Sequence, residues 1–316
     1  MSGLPHLPMA ISALDRDYLQ RDNPDLFDEL WANPATRVLA IHAGKVQLAQ
    51  QNHKNLARLL LLPVDAVPSA QLRVYLGKTY NTEGEEPAGT PIVLAVLSAN
   101  SANQLQPDAT AWRDLRRHGL GLSDRDANLY AQALAMANFH SSHVHCTHCG
   151  QPTVIQQGGW SRRCFADEKQ VFPRTDPAII AAVTDSQDRI LLGSQGVWEA
   201  NRWSILAGYV EAGESLTSAV AREIEEEAGV RVHQIEYLGS QAWPFPHSLM
   251  IGFRAKLDET GEPQVAKPDG IEIAKVQWFT REEIGEGYRN GSLIMPGPLS
   301  IARAIIEHWY GGPLDG

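Results

Sequence analysis

The stretch AGYVEAGESLTSAVAREIEEEAGV, residues 207–230, decides how the C-terminal part of the chain folds. Serine or threonine near its middle and Gly229 at its end are ordinary helix start and stop signals, so its second half is predicted to be a helix. At about 100° per residue, Ala219, Val220 and Ile224 share one face of that helix. The stretch therefore predicts an amphipathic helix with a clear apolar face.

Three glutamates are predicted to lie on the same face. Around the helix axis, Glu223 and Glu227 lie within about 20° of Leu216, and Glu226 lies within about 80° of it. Glu225, on the opposite side, points to solvent. Carboxylates on successive turns repel one another, and turning them inward adds a desolvation cost. A cation would offset both effects, and such oxygen ligands suit magnesium or manganese, which typically bridge to substrate phosphates. The pattern therefore predicts a metal site beside a phosphate-bearing substrate.

The segment before the helix also fits a phosphate ligand. Gly208 and Gly213 flank a turn whose backbone can approach a ligand closely, and a helix N-terminus favours anions. From about residue 173 to residue 316, strands and helices alternate with few crossover helices. This order predicts an α/β sandwich with a mixed sheet, and this region carries the chemistry.

Composition limits the classes of function. The 316 residues are 43% apolar and carry a formal net charge of −10, so the chain can bury a core and, by its length, form two domains. The acidic balance argues against a broad nucleic-acid-binding face, which would be basic. The N-terminus lacks the pattern of a signal peptide, and no apolar run approaches the ~20 residues that span a bilayer. We therefore expect a cytoplasmic protein.

Three cysteines, Cys146, Cys149 and Cys164, have the spacing of a zinc ribbon. Their odd number argues against a disulfide framework and favours a reducing compartment. The fourth thiolate of a two-knuckle ribbon would be at position 167, which is Asp167. A carboxylate or one of two nearby histidines can complete a tetrahedral zinc site, and a ribbon held by packing without metal is the other interpretation. If zinc binds, we expect it to be structural.

Residues 1–140 contain no chemical motif. RVLAIHAGKVQLA, residues 37–49, predicts a hairpin around Ala43 and Gly44. A residue pattern typical of a helix begins at Trp112. Ser123 is the predicted N-cap of a longer helix. The interpretation is an α+β domain for positioning or dimerisation. The predicted domains are therefore 1–140, the zinc-ribbon-like segment 141–172, and the α/β domain 173–316.

The pattern within residues 208–230 resembles the Nudix box. Gly208 is followed after five residues by Glu214, and after seven more by REIEEEAGV, residues 222–230, which matches every defined position. The resemblance implies an α/β/α sandwich with a mixed sheet. It also implies hydrolysis of a nucleoside diphosphate linked to another group, with Mg²⁺ or Mn²⁺.

The same resemblance assigns roles to the matching residues. Glu223 and Glu227 would bind metal, and Glu226 would bind metal or help to activate water. Arg222 would orient the glutamates, and Glu214 would support the loop before the helix.

A second motif narrows the resemblance. SQAWPFPHS, residues 240–248, is similar to the SQPWPFPxS motif of NADH pyrophosphatases, which also remove NAD caps from RNA; Ala242 replaces a proline. The subfamily implies that NADH gives AMP and reduced nicotinamide mononucleotide. NAD-capped RNA would give the mononucleotide and a 5′-monophosphate RNA. The subfamily also implies a homodimer.

Further site residues follow from this resemblance. Glu272 would be an additional metal ligand, although strand alternation leaves a plain surface glutamate as an alternative. Trp243 and Phe245 lie between prolines in a rigid aromatic loop that suits stacking on a base, and a packed turn is the alternative. The backbone of Ala207 would touch metal or substrate. The candidate substrate-binding residues are Phe172, Ile180, Ala207, Tyr209, Gln241, Trp243, Phe245, Ser248 and Ala302.

Two other functions compete with this one. A Nudix hydrolase of another nucleoside diphosphate derivative, such as ADP-ribose, would use the same box, but SQAWPFPHS argues against it. A non-catalytic nucleotide- or RNA-binding Nudix module would have no reason to maintain the inward acidic cluster and Arg222.

Overall fold

The computed structural model describes residues 3–4, 7–12, 14–49, 57–83 and 86–314, and the chain divides into two compact units. The N-terminal unit comprises Met9–Thr175 and Trp243–His247. The C-terminal unit comprises Met1–Pro8, Asp176–Ala242 and Ser248–Gly316. No helix within the described ranges is long and apolar enough to cross a membrane.

The N-terminal unit contains an eight-stranded sheet. Its strands are β1 (Leu14–Asp15), β2 (Arg37–His42), β3 (Lys45–Ala49), β4 (Arg58–Leu59), β5 (Leu61–Pro63), β6 (Ala70–Thr79), β7 (Pro91–Leu97) and β8 (Trp112–Arg113). Their order is β1-β6-β7-β2-β3-β4, with β5 beside β2 and β8 beside β3. The predicted hairpin is confirmed, because β2 and β3 pair antiparallel around Ala43 and Gly44. Both turn residues have positive φ, 48° and 73°, as tight hairpins require.

The described residues of this unit also form four helices: α1 (Leu26–Ala32), α2 (Ala99–Leu105), α3 (Leu115–His118) and α4 (Asp124–Ser142). Short 3-10 turns are Tyr18–Asp22, Val64–Ala66, Ala109–Ala111, Gly119–Gly121 and Gln157–Gly159. Ser123 caps α4 as predicted, since its Oγ accepts from the backbone N–H of Asp126 at 3.2 Å. The helical texture predicted from Trp112 was wrong for its first two residues, which pair with β3 as β8.

The ribbon segment forms a separate three-stranded sheet. Its strands are β9 (Val154–Gln156), β10 (Ser161–Arg163) and β11 (Gln170–Val171), in the order β11-β10-β9. Both pairings are antiparallel.

The described part of the C-terminal unit contains a six-stranded sheet and three helices. The strands are β12 (Asp176–Thr184), β13 (Ile190–Gln195), β14 (Leu206–Tyr209), β15 (Val232–Trp243), β16 (Ser248–Leu257) and β17 (Ile273–Phe279). The helices are α5 (Leu216–Ala228), α6 (Arg281–Arg289) and α7 (Ile301–Tyr310). Strand β12 pairs parallel with β16 and antiparallel with β13 and β14, so the sheet is mixed, as predicted.

Alternate residues of β12 face opposite layers. Ile179 and Ala181 belong to the core that contains Val220 of α5. Ile180 and Ala182 belong to a second core, shared with α6 and α7. Because side chains alternate along a strand, one sheet is covered by helices on both faces. The predicted α/β/α sandwich is therefore confirmed.

Candidate active site

Helix α5 is fixed at both ends by its own sequence. The Ser215 Oγ accepts from the backbone N–H of Ser218 at 3.1 Å, and Gly229 ends the helix with a positive φ of 67°. Strand β14 leads into the loop before α5, and its Gly208 lies directly under Glu223. A Cβ on Gly208 would lie 1.9 Å from the carboxyl carbon of Glu223, so this close approach requires glycine.

The three glutamates of α5 differ in burial. Glu227 is 4% exposed, and the side chain of Glu223 is 13% exposed. The side chain of Glu226 is 61% exposed, so the prediction that all three point inward was wrong for Glu226. The reason is its angular position, since about 80° from the reference lies at the edge of the apolar face. Glu227 and Glu223 are the inward pair.

Arg222 connects carboxylates of α5 with the carboxylate of the loop before the helix. Its Nε and Nη2 donate to the two oxygens of Glu214 at 2.6 and 2.9 Å, and Nη2 also donates to the backbone O of Tyr209 at 2.9 Å. Its Nη1 donates to Glu223 Oε1 and to Glu226 Oε2, both at 2.9 Å. The hydrogen bonds from Arg222 lower the pKa of Glu214 to about 2. A single guanidinium thus holds the loop and two of the candidate ligands.

Glu227 is the least satisfied carboxylate of the site. Among the described residues, none hydrogen-bonds to its buried Oε2. Burial, followed by the charges of Glu223, Glu272 and Asp269, raises the pKa of Glu227 to about 8. The backbone N–H of Ala207 donates to this carboxylate and opposes that shift. An oxygen without a partner among other carboxylates is what a hard divalent cation would satisfy, so this donor set fits one.

The charge of Glu272 acts on Glu223 and Glu227, although strand alternation left a plain surface glutamate as an alternative. Glu272 lies in a bend directly before β17, not within the strand, so the prediction from alternation was wrong in its premise. Its charge raises the pKa of both Glu223 and Glu227, where burial is the largest cause.

Asp269 also acts on this site, and sequence reasoning missed it. Its charge contributes to the raised pKa of Glu227. Asp269 precedes Gly270, which has a φ of 73°, and Asp-Gly is a turn signal. That turn places Asp269 and Glu272 together, and the dipeptide was the only hint of it in the sequence.

Gln241, a candidate substrate contact, is committed to structural bonds. It is 1% exposed, and its amide nitrogen donates to the backbone O of Pro8 and of Leu299 at 2.8 and 2.9 Å. Its Oε1 accepts from the backbone N–H of Ile301 at 2.8 Å. These contacts favour a role in fixing the start of α7 over a polar contact with substrate.

The other candidate substrate-binding residues of the C-terminal unit differ in how exposed they are. Ile180 and Ala302 are buried in the core beside α7, and Ala207 pairs with Ile180 across β12 and β14. Tyr209 is exposed, and its hydroxyl lies 3.2 Å from the Oγ of the buried Ser248. Tyr209 is therefore the candidate whose ring is open to a ligand.

The aromatic loop, Trp243–His247, belongs to the N-terminal unit. The Trp243 and Phe245 rings meet edge to face with centroids 5.1 Å apart, and the Arg116 guanidinium lies 4.2 Å from the Phe245 ring centroid. Asn138 Nδ2 donates to the carbonyls of both prolines of the loop at 3.1 and 2.9 Å. The loop is thus held in place within its own unit. Phe172, in the same unit, is exposed.

The ribbon cysteines form a compact group. The sulfurs of Cys146, Cys149 and Cys164 lie within 4.8 Å of one another, and those of Cys149 and Cys164 are 3.4 Å apart. Asp167 Oδ2 lies 3.7 Å from Cys146 Sγ and 3.0 Å from His148 Nδ1. Zn–S bonds of about 2.3 Å in a tetrahedron separate sulfurs by about 3.8 Å, so the spacing of the three sulfurs fits zinc.

Comparisons with known families match three consecutive segments. Residues 35–138 match a rudimentary NUDIX domain of the NADH pyrophosphatase-like kind, residues 141–172 match the NADH pyrophosphatase zinc ribbon domain, and residues 174–295 match the NUDIX domain.

Comparisons with individual proteins found NAD-capped RNA hydrolases. The NudC protein of Mycobacterium tuberculosis is 43% identical over 204 residues, which are 62% of this chain and 64% of that protein. NUDT12 of Macaca fascicularis is 29% identical over 339 residues, covering 94% of this chain and 71% of that protein. Human NUDT12 is 35% identical over 202 residues, which are 60% of this chain and 43% of that protein. The match thus spans less than two thirds of the mycobacterial relative.

Proposed function

Because the chain belongs to the Nudix superfamily, with the zinc ribbon and rudimentary Nudix domains of NADH pyrophosphatases before its Nudix domain, we propose that it hydrolyses the pyrophosphate bond of NADH and NAD. The products are the nicotinamide mononucleotide and AMP. We extend the proposal to the NAD cap of RNA, because the similar proteins carry that name. Cap removal leaves a 5′-monophosphate RNA.

The buried Glu227 carboxylate is the observation that favours catalysis over nucleotide binding alone. An unpartnered buried carboxylate oxygen beside other carboxylates destabilises the folded protein. A module that only binds nucleotides gains nothing from this arrangement. An enzyme that holds cations at a pyrophosphate does.

We propose Mg²⁺ or Mn²⁺ as the cations, held by Glu223, Glu227 and Glu272. When bound, they would offset charge on the pyrophosphate and lower the pKa of water. Arg222 holds Glu223 and Glu226 through the same nitrogen, and so sets their spacing. The exposed carboxylate of Glu226 is available to a metal ion or to accept a proton from the attacking water.

Substrate selection is assigned to aromatic side chains. Tyr209 presents an exposed ring one residue after Gly208, and the aromatic loop presents Trp243 and Phe245 in a fixed arrangement. Rings held in place can stack on a nicotinamide or adenine base at little entropic cost. The resemblance to NADH pyrophosphatases supports the same assignment.

We also propose one structural zinc per chain and a homodimer. The three cysteines and Asp167 supply the zinc ligands. The homodimer rests on the subfamily resemblance, and light scattering coupled to size-exclusion chromatography tests it.

The function is tested by comparing three substrates in parallel. The protein is incubated with Mg²⁺ or Mn²⁺ and NADH, NAD-capped RNA or ADP-ribose, and kcat/KM is measured for each. We expect NADH and capped RNA to be preferred. A preference for ADP-ribose would support the generic Nudix alternative, and binding without turnover would support the non-catalytic module.

A further inference from the structure

The turn before β17 is organised around the carboxylate of Asp269. Its Oδ1 accepts from the backbone N–H groups of Ile271 and Ile273 at 3.2 and 2.9 Å, and its Oδ2 accepts from that of Glu272 at 3.1 Å. Gly270 adds a backbone hydrogen bond to the Ile273 carbonyl at 3.0 Å. The backbone on both sides of Glu272 is therefore fixed by one side chain.

The segment that leads to this turn is attached to the end of the catalytic helix. The backbone N–H of Lys267 donates to the carbonyl of Ala228, the last residue of α5, at 2.9 Å. Gln264 Oε1 accepts from the backbone N–H of Arg231 at 2.7 Å, and Ala266 packs against the core beneath α5. The segment before the turn is therefore attached to the C-terminal end of α5.

We propose that Asp269 is a positioning residue that holds Glu272 beside Glu227, so that the carboxylates of the cation site are arranged before a cation binds. The inference rests on the proposed function, because it gives Glu272 the role of a metal ligand. It adds a residue outside the Nudix box that acts through the backbone.

Two observations place the effect of Asp269 at the cation site. Glu272 is exposed, so its backbone is held by the hydrogen bond to Asp269 and not by packing of its side chain. Glu227 has a buried oxygen without a hydrogen-bond partner among the described residues, and the charges of both Glu272 and Asp269 act on it. Holding acidic groups near that oxygen has a benefit only when a cation joins them.

The test measures Mn²⁺ binding by calorimetry on the full chain without substrate. Asp269→Ala should raise the Kd for Mn²⁺ by about 10- to 100-fold, as loss of groups that orient metal ligands does. Asp269→Asn keeps one acceptor oxygen and should retain part of the affinity. The matched control is Asp258→Ala, because Asp258 Oδ1 caps the other end of the same segment through the N–H and hydroxyl of Thr260 at 3.0 and 2.5 Å. The control should leave the Kd unchanged.

A double-mutant cycle separates positioning from direct ligation. If Asp269 acts through Glu272, Asp269→Ala should have no further effect on the Kd in a Glu272→Ala background. A full additional loss there, or an Asn variant as weak as the Ala variant, would make Asp269 a ligand and overturn the proposal. A lower Tm with an unchanged Kd would also overturn it. Failure of the wild-type protein to bind Mn²⁺ would instead refute the cation site itself, and with it the proposed function.

Discussion

Glu227 is buried, and its Oε2 lacks a hydrogen-bond partner within the described part of the chain. The charges of three other acidic residues, Glu223, Glu272 and Asp269, act on it. Helical periodicity predicted that Glu227 and Glu223 point inward, because the rotation per residue is a local property. It did not predict the neighbours of Glu227 on the turn before β17. Those depend on how a distant segment of the chain is hydrogen-bonded.

Replacing Glu227 with glutamine should abolish most of the hydrolysis and leave the fold intact. The side chain keeps its size but loses a charge that holds the cation, so kcat should fall by about 10²-fold or more. The metal-free protein should be no less stable, because repulsion is relieved. Glu225→Gln, on the solvent side of α5, is the control and should retain activity. Near-wild-type turnover of the Glu227 variant at saturating metal would contradict the assignment.

The raised pKa of Glu227 also predicts how stability depends on pH without metal. The pKa rises from its ordinary value of 4.5 to about 8, so between these values the folded state binds a proton that the unfolded state has released. The free energy of unfolding should therefore fall as pH rises from about 4.5 to 8 and level off above that. Denaturant titrations across this range, in wild type and Glu227→Gln, measure the difference. Equal slopes would show that Glu227 titrates normally.

Secondary-structure elements were predicted well where they depend on residues that are adjacent in the sequence. The hairpin at residues 37–49, the cap at Ser123 and helix α5 with its C-terminal Gly229 each depend on a few adjacent residues. Trp112 was misassigned because its pairing partner is β3, more than sixty residues earlier, and short-range pattern does not reveal such a partner. The hydrogen bonds of Gln241 were not predicted for a related reason, since Pro8 and Leu299 are distant in sequence.

The aromatic loop makes a prediction about substrate selection. Replacing Trp243 and Phe245 together with alanine should lower kcat/KM for NADH by about 5- to 150-fold, the equivalent of losing one base stacked on a ring. The dependence on Mg²⁺ should not change, because the glutamates lie on a different element. Phe165→Ala removes another exposed ring of the N-terminal unit and serves as the control. If all substrates lose activity together and the Tm falls, the loop is a packing element.

The ribbon makes a prediction about metal content. Protein purified without chelator should contain close to one zinc per chain, released when the thiols are titrated. Asp167→Ala should lower the retained zinc, whereas Glu168→Ala, the adjacent carboxylate, should not. A metal-free preparation that is stable and active would show that the cysteines are held by packing alone.

At the scale of the whole molecule, the C-terminal unit is built from three separate segments, one of which lies at the start of the chain. Leu7 is buried in the core beside α7, and the backbone N–H of Leu4 donates to the carbonyl of Leu238 at 3.1 Å. Composition and motif order place residues 1–140 in one domain. They do not show that a short initial segment joins a sheet formed much later in the sequence.

This assembly predicts a long-range effect of one small substitution. Leu7→Ala should lower the free energy of unfolding of the C-terminal unit by about 2–5 kcal/mol, the usual effect of truncating a buried leucine. Hydrogen exchange in β15 and α7 reports on that unit separately. Leu19→Ala, at an exposed position of the N-terminal unit, should have little effect. Unchanged exchange in the Leu7 variant would contradict the packing of the initial segment.

The interleaving of the two units has a consequence for biosynthesis. A ribosome releases Leu4 and Leu7 long before it makes Leu238 and α7, so these two residues lack those partners until the second half of the chain emerges. The N-terminal unit, in turn, lacks Trp243–His247 until the first four strands of the C-terminal sheet, β12 to β15, have been made. Each unit therefore contains segments that are distant in the sequence, and no single proteolytic cut would release either unit whole.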